Sequence, residues 1–467
     1  MKREISVSTV FFLMSLAIHG LSFTVDGITY NQYGNISNNV VEVMSGCMET
    51  VTIPETVVYN SNTYYVNRIA SDAFLSCNNL VNLNLPNSLL TIESHAFEAC
   101  DNLVNITIPD SVILIEYQAF AYCTSLTNIT FSDSPISFGS SIFRGCTGLT
   151  SVSLPNTFTS IPSAFFYDCT SLSSVTLPET ITSINPSAFR NCSSLTSIVI
   201  PESVMNIGLS TFSGCSSLIS INIPDGVATI EDGLFFGCSS LLSISLPETI
   251  TSIGNSAFRG NQALTSINIP ESVNSIGTSA FYFCTSLANI AIPENVTIIN
   301  EYTFFRCSSI DQFNIPETVT AISNNAFGQC YGLTDFNVNW DSPISISSNV
   351  FFQTAIENIT LNVPLGLVST YEAASVWMDF NPITDATLNT SEVASLNNVN
   401  LFPNPATDYI SITNLNTQDN YTIYDVLGKK VNSGQLLIDS KISVAQLEKG
   451  IYFLKLENYK TLRFLKN

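Results

Sequence analysis

Twelve cysteines, two histidines and a recurring row of acids are the residues in this 467-residue chain whose types could do chemistry. Eleven of the cysteines, Cys77, Cys100, Cys123, Cys146, Cys169, Cys192, Cys215, Cys238, Cys284, Cys307 and Cys330, share one spacing, with Asn261 interrupting it and Cys47 lying apart. In an exported chain so many cysteines suggest disulfides. Pairing neighbours uses up the first eight of the column but strands one of the last three. Side chains on parallel strands also stand about 4.8 Å apart, wider than the ~3.8 Å between Cβ atoms that a bridge prefers. The column therefore reads as buried small apolar residues, with occasional oxidation as the alternative. There is no Cys-x-x-Cys pair, so no metal site is expected, and no cofactor is implied.

Histidine is too scarce for catalysis. His19 falls in an N-terminal apolar run, and only His95, in "ESHAFEAC", remains to serve a Ser-His-Asp or Cys-His unit. It reads as a surface residue at a routine position. Paired carboxylates could hydrolyse glycosides, but the acids here recur singly and no loop is long enough to enclose two of them. The expectation is a protein with no catalytic residues. The most regular acids are Glu179, Glu202, Asp225, Glu248, Glu271, Glu294 and Glu317, each directly after a proline. Pro-Glu-Ser/Thr is ordinary turn chemistry, so a solvated turn is expected, with weak recruitment of a hard divalent cation or a basic partner as the alternative.

The elements that position these residues follow from a period of 23. Phe74, Phe97, Phe120, Phe143, Phe166, Phe189, Phe212, Phe235, Phe258, Phe281, Phe304 and Phe327 keep it without a gap, and prolines from Pro86 to Pro316 keep it with Ser132 as the one substitute. Such a period marks stacked supersecondary units. Within a unit, alternating Ile198 and Ile200 turn one face of a short strand inward, and Pro201 ends the strand by removing a ladder donor. One unit cannot bury its own apolar face, whereas stacked neighbours share a continuous core. The predicted fold is a repeat solenoid of about 12 to 13 units with parallel strands. Its outward strand positions hold Asn82, Asn105, Asn128, Ser151, Ser174 and Ser197, a flat hydrogen-bonding surface. Beside the phenylalanines lie further aromatics and arginines, among them Tyr167, Arg190, Phe236 and Tyr282, the residue types that most often anchor interfaces. These two groups are the candidate partner-binding residues. Simple solvation is the alternative for the first, and packing between turns for the second.

Composition sets the remaining limits. With 45% hydrophobic and 11% charged residues the chain can bury a large core. A net charge of −22 argues against nucleic acid, which needs clustered Lys and Arg. Between Arg3 and Lys429 the only lysines or arginines are Arg68, Arg144, Arg190, Arg259 and Arg306, whereas eight crowd the last 70 residues, which marks a domain boundary. At the N-terminus Lys2 and Arg3 precede an apolar run to about Ile18, the layout of a signal peptide over residues 1–22. No other segment could span a bilayer.

The skeleton "AFxxCxxLxxIxIPxxVxxIg" resembles the BspA-type leucine-rich repeats of bacterial surface proteins. "FTVDGITYNQYG" and "VVYNSNTYYVNRIASDAF" are similar to the family's N-terminal start, and "LNVPLGLVSTYEAASVWMDFNPI" to its closing segment. From about Asn398 short alternating strands replace the repeat and predict a small all-β sandwich. Their order resembles the C-terminal sorting domain of type IX secretion cargo in Bacteroidota. Phe402, Pro403, Asn404 and Pro405 match its opening turn, Gly428 its central turn, Gly450 its late strand and Lys466 its basic end. The organisation expected is a signal peptide over 1–22, a start and irregular first repeat over 23–73, repeats over 74–360, a cap over 361–385, a linker over 386–397 and the sorting domain over 398–467. The resemblance implies a secreted or surface-displayed binding protein, an adhesin for a matrix protein, a cell surface or a glycan, exported by secretion machinery that reads the tail. The alternative is a structural coat or spacer without a specific ligand.

Overall fold

In most repeats the Ile-x-Ile-Pro run makes a strand of only two or three residues, and the strand survives because the next repeat lays a similar one beside it. Asn105–Thr107 pairs in parallel with Asn128–Thr130, and Ser151–Ser153 with Ser174–Thr176, in a register offset by one 23-residue coil. A second parallel ladder forms where the coil turns back, as Thr91–Ile92, Leu114–Ile115 and Ser137–Phe138 align. The computed structural model describes residues 21–33, 39–385, 400–402, 404, 406–413, 419–425, 429–436, 441–456 and 462–466. Most of the segment expected as a signal peptide and the whole expected linker lie outside the described residues. The chain divides into two compact units, Met1–Thr384 and Asp385–Asn467.

A third ladder runs through the turn around each phenylalanine. In one repeat Ser187, Phe189 and Asn191 donate their N–H groups to the carbonyls of Leu209, Thr211 and Ser213 in the next coil, at 3.0, 3.1 and 2.7 Å. Ser187 and Asn191 have φ of 59° and 60°, so the first and third of these donors are left-handed while Phe189 between them is not. This conformation costs a non-glycine residue about 1–2 kcal/mol. The interlayer bonds it permits repay that cost at every coil, so the column can use residues as different as Tyr122, Asp168 and Arg306.

Inside the coil the phenylalanines form one stack. Ring centroids from Phe74 to Phe327 lie between 4.9 Å, for Phe74–Phe97, and 6.0 Å, for Phe143–Phe166, with near-parallel planes. Ile198 and Ile200 both point inward, as the alternation predicts.

The cysteine column lies beside this stack, and its role is more specific than apolar filling. Each thiol donates across a layer to the carbonyl of the preceding repeat's phenylalanine: Cys192 to Phe166 at 3.2 Å, Cys215 to Phe189 at 3.2 Å and Cys284 to Phe258 at 3.1 Å. Asn261 occupies the same place, and its amide nitrogen reaches Phe235 O at 3.1 Å. Its Oδ1 is buried without a partner, and an orphaned buried acceptor costs about 1–3 kcal/mol. Asn261→Cys keeps a donor to the same carbonyl and removes the orphan, so it should raise stability by roughly 1–2 kcal/mol. Chemical denaturation of the variant and the parent checks this, and an unchanged midpoint would show that solvent already satisfies the amide oxygen.

One member of the column corrects the sequence reading. Cys77 is not a free apolar residue: it forms a disulfide with Cys47, at a Cα separation of 5.5 Å. The spacing argument concerned cysteines on adjacent coils, but Cys47 arrives by a different path. Strands β1 (Ser22–Val25), β2 (Ile28–Gln32) and β3 (Val40–Ser45) close the first coil before the repeat begins, β1 and β2 pairing antiparallel and β3 joining the ladder of β6 (Asn62–Ile69). Strand β4 (Thr50–Thr52) then starts the main ladder, and β5 (Thr56–Tyr59) forms a hairpin with β6. Cys77 therefore faces the end layer, where no earlier phenylalanine carbonyl awaits its thiol. Closing a loop of 30 residues contributes about 3.5 kcal/mol through the unfolded chain. The other ten column cysteines are free and buried.

The far end of the array is sealed by aromatics from a short helix, α1 (Val368–Glu372), and the turn after it. Tyr371 Oη donates to Trp340 O at 2.9 Å and Trp377 Nε1 to Ile344 O at 2.8 Å. Among the described residues no helix is long and apolar enough to cross a membrane.

The second unit is an all-β domain. Asn400–Phe402, Tyr409–Thr413 and Lys441–Ser443 form one antiparallel sheet, and Lys430–Leu436, Asp419–Asp425, Gly450–Leu456 and Leu462–Lys466 form another in that order. Ile410, Ile412, Ile423, Ile442, Leu454 and Phe464 lie in its core.

Candidate functional site

The outward strand column is exposed along its length and behaves differently in its middle and at its ends. Asn82 Nδ2 reaches Thr50 Oγ1 at 3.4 Å and Asn128 Nδ2 reaches Asn105 Oδ1 at 2.8 Å. Two residues along, Asn337 donates to Asn314 at 2.5 Å and Asn362 to Asn337 at 2.6 Å. At both ends, then, amides spend their hydrogen bonds on the layer before. In the middle Ser151, Ser174 and Ser197 present short hydroxyls with no side-chain partner among the described residues. Asn222, on the same face, spends its amide on Ile200 N–H and O at 2.9 and 2.7 Å, so it is the serine hydroxyls that stay available in the middle.

The middle also holds a feature that sequence reasoning missed. Val199 stands in the column otherwise filled by Asn84, Thr107, Thr130, Ser153 and Thr176, and it is 76% exposed. Ile219 and Leu242, on the next two coils, are 46% and 53% exposed. The signal was present, as an apolar letter at an outward register position, but the columns were read for polar residues.

The arginines and aromatics beside the phenylalanines interleave. Arg144 lies over the rings of Tyr122 and Tyr167, at 5.7 and 4.6 Å from their centroids, and Arg190 lies over Tyr167 at 5.6 Å. Farther along, Arg259 lies between Phe236 and Tyr282, at 5.6 and 4.3 Å, and Arg306 over Phe283 at 4.8 Å. Tyr282 stacks in turn on Phe305. Glycine makes room for this: a Cβ on Gly145 would come within 2.5 Å of Tyr122 Cδ1. The structure thus brings Tyr167 and Arg190 into one cluster and Phe236 and Tyr282 into another. Both line the long turn, apart from the strand face.

Glu179, Glu202, Asp225, Glu248, Glu271, Glu294 and Glu317 are all exposed on the short turn after the prolines. A Glu271 carboxylate oxygen accepts from Glu294 N–H at 3.4 Å, and Asn295 Nδ2 donates to Glu271 O at 2.7 Å. No three metal-ligating side chains converge anywhere among the described residues. His95 is half-buried rather than fully exposed. It pairs with Glu98 and meets Tyr117 edge-on.

In the tail, Asn404 Oδ1 accepts from Leu465 N–H at 2.9 Å, Ala406 bridges to Lys466, and Gly450 pairs with Lys466 across the last two strands. The first and last motif positions therefore meet at one sheet edge. Phe402 ends the first strand of the domain. Pro403, Pro405 and Gly428 lie outside the described residues.

A solenoid of 23-residue parallel coils with an aromatic spine and a polar strand face defines a leucine-rich-repeat protein. Residues 67–193, 159–266 and 251–371 match the BspA type leucine rich repeat region, and residues 400–466 match the secretion system C-terminal sorting domain. The chain belongs to the BspA-type leucine-rich-repeat family and carries that sorting domain, so it is secreted or displayed on the outer cell surface. Among solved structures it is similar to a leucine-rich cell surface protein from Faecalibacterium prausnitzii, at 27% identity and a TM-score of 0.53, covering 76% of this chain and 97% of the other. It is also similar to a leucine-rich repeat protein from Bacteroides ovatus, at 28% identity and a TM-score of 0.51, covering 68% and 94%. The pneumococcal vaccine antigen PcpA shares the fold at 17% identity and a TM-score of 0.51, covering 75% and 96%. No curated protein matches the chain.

Proposed function

We propose that this protein is a non-enzymatic surface adhesin that holds a protein or glycan on the middle of its strand face. The observation that carries this reading is Val199, exposed at an outward strand position beside serine hydroxyls without side-chain partners, with Ile219 and Leu242 exposed just before the corresponding strand positions of the next two coils. Desolvating a small apolar centre inside a polar rim is how most interfaces gain their energy. The end layers, whose amides are already bonded, contribute less. The solved relative from Faecalibacterium prausnitzii is described as a cell surface protein, which supports display.

Screening the full chain against matrix proteins, glycan arrays and intact cells tests the proposal. Val199→Asp should weaken any saturable binding at least about tenfold, the effect of losing one interface anchor. Its stability should stay within about 0.5 kcal/mol, because the side chain is exposed. Unaltered binding by the variant would move the site elsewhere.

The tail supplies the route to the surface. Deleting residues 398–467 should leave the array folded, since the two units are compact separately, and should abolish display. Fractionation of cells expressing the truncated chain checks this. Truncated protein on the outer surface would show that the tail is not the export signal.

A further inference from the structure

The four arginines of the repeats carry a second surface. Arg144, Arg190, Arg259 and Arg306 are the only lysines or arginines between residues 69 and 428. All four sit one or two positions after a column phenylalanine, on the long turn, with their guanidinium faces held by rings. None is ion-paired: among the described residues the pairs are Arg68–Glu93 and His95–Glu98. In a chain with 37 acids and 15 basic residues, this absence calls for an explanation.

Topology supplies one. Each coil has two strand ladders joined by two turns, a long one carrying phenylalanine and cysteine and a short one carrying proline and the acid. Glu202 follows Arg190 by about half of a 23-residue coil, and Glu271 and Glu317 follow Arg259 and Arg306 in the same way. The arginines and the acid ladder therefore run down opposite rims, separated by the width of the coil, and cannot reach each other within one molecule. Both rims have the same pitch because the same coils build them.

We propose that the array associates side by side with further copies of itself, the arginine rim of one molecule docking on the acid rim of the next. A parallel neighbour displaced sideways brings Arg190, Arg259 and Arg306 level with Glu202, Glu271 and Glu317. The ring-held guanidinium groups lose little freedom on pairing. The overall charge of −22 does not prevent contact, because repulsion between exposed charges is screened beyond about 8 Å at physiological salt. The contact is heterologous, leaving an unused rim on each side, so it propagates as an open row. Both strand ladders stay uncovered, so the row is compatible with ligand binding but does not rest on it.

Sedimentation velocity of the full chain at physiological salt and rising concentration tests the proposal. The parent should form species that grow with concentration. A variant with Glu202→Gln, Glu271→Gln and Glu317→Gln should associate at least about tenfold more weakly, equivalent to ~1.4 kcal/mol. It should do so although it has lost net negative charge, and its melting temperature should be unchanged. A variant with Arg190→Gln, Arg259→Gln and Arg306→Gln should weaken alike. Mixed in equal amounts, the two variants should recover a dimer and nothing larger, because each retains one intact rim. A parent that stays monomeric, an acid variant that associates like the parent, or a mixture that forms rows would overturn the proposal. So would soluble heparin binding to the parent and not to the arginine variant while self-association is equal in both, which would make the arginine rim a site for acidic glycans.

Discussion

Raising the pH above about 9 should unfold the repeat array steeply. Burial pushes the thiols of Cys146, Cys215, Cys284 and Cys330 from their ordinary 9.0 up to about 12. It drives Cys169, Cys192, Cys238 and Cys307 well above the ordinary value too. Cys123 is raised as well, first by its hydrogen bond with Cys100 and then by burial. Between about 9 and 12 the folded chain keeps these protons while the unfolded chain releases them. The stability is therefore fully present below 9 and is lost as the pH climbs through that window. Each thiol removes about 1.4 kcal/mol per pH unit there. Nine together remove on the order of 10 kcal/mol per unit, comparable with the whole stability of a domain. Circular dichroism of the full chain from about pH 8 to 11 reads the loss. Replacing column cysteines with alanine should flatten the profile, whereas a parent signal constant over this range would mean that the thiols ionise inside the fold.

Phe235→Ala should destabilise the array by about 3 to 5 kcal/mol, the usual cost of removing a buried aromatic ring. Phe235 is fully buried, with the rings of Phe212 and Phe258 at 5.9 and 5.5 Å. Its carbonyl also accepts the Asn261 amide, so a cavity here disturbs a layer that already holds an orphaned oxygen. In a solenoid such damage stays near its origin, and hydrogen exchange should show protection lost on the coils around residues 212 to 258 first. Its chain neighbour is the control: Phe236 is exposed and touches Arg259 from one side, so Phe236→Ala should cost no more than about 1 kcal/mol. Equal losses from the two variants would mean that the two rings share one environment.

These residues show where sequence suffices. A strict period fixes which letters stack, and alternation fixes which face turns inward, so the phenylalanine spine, the Ile198 and Ile200 register and the exposed acid ladder could all be read without coordinates. The interlayer thiol bonds could not be read, because a cysteine and a leucine look alike to a hydrophobic pattern and the acceptor lies 26 residues away. Nor could the left-handed residues beside each phenylalanine, since those positions carry Ser, Asn, Gly, Tyr and Arg without a shared signature.

The sequence by itself determined the solenoid, its layer content and the change to a second β domain, because each depends on spacing along the chain. Tertiary structure alone decided three things. It joined Cys47 to Cys77, because the path of the first coil, which does not repeat, sets which sulfur faces the end layer. It seated the arginines between rings rather than beside acids, because half a coil separates the two rims. It also distinguished the middle of the strand face from its ends, because whether an amide is spent on its neighbour depends on what the adjacent layer offers.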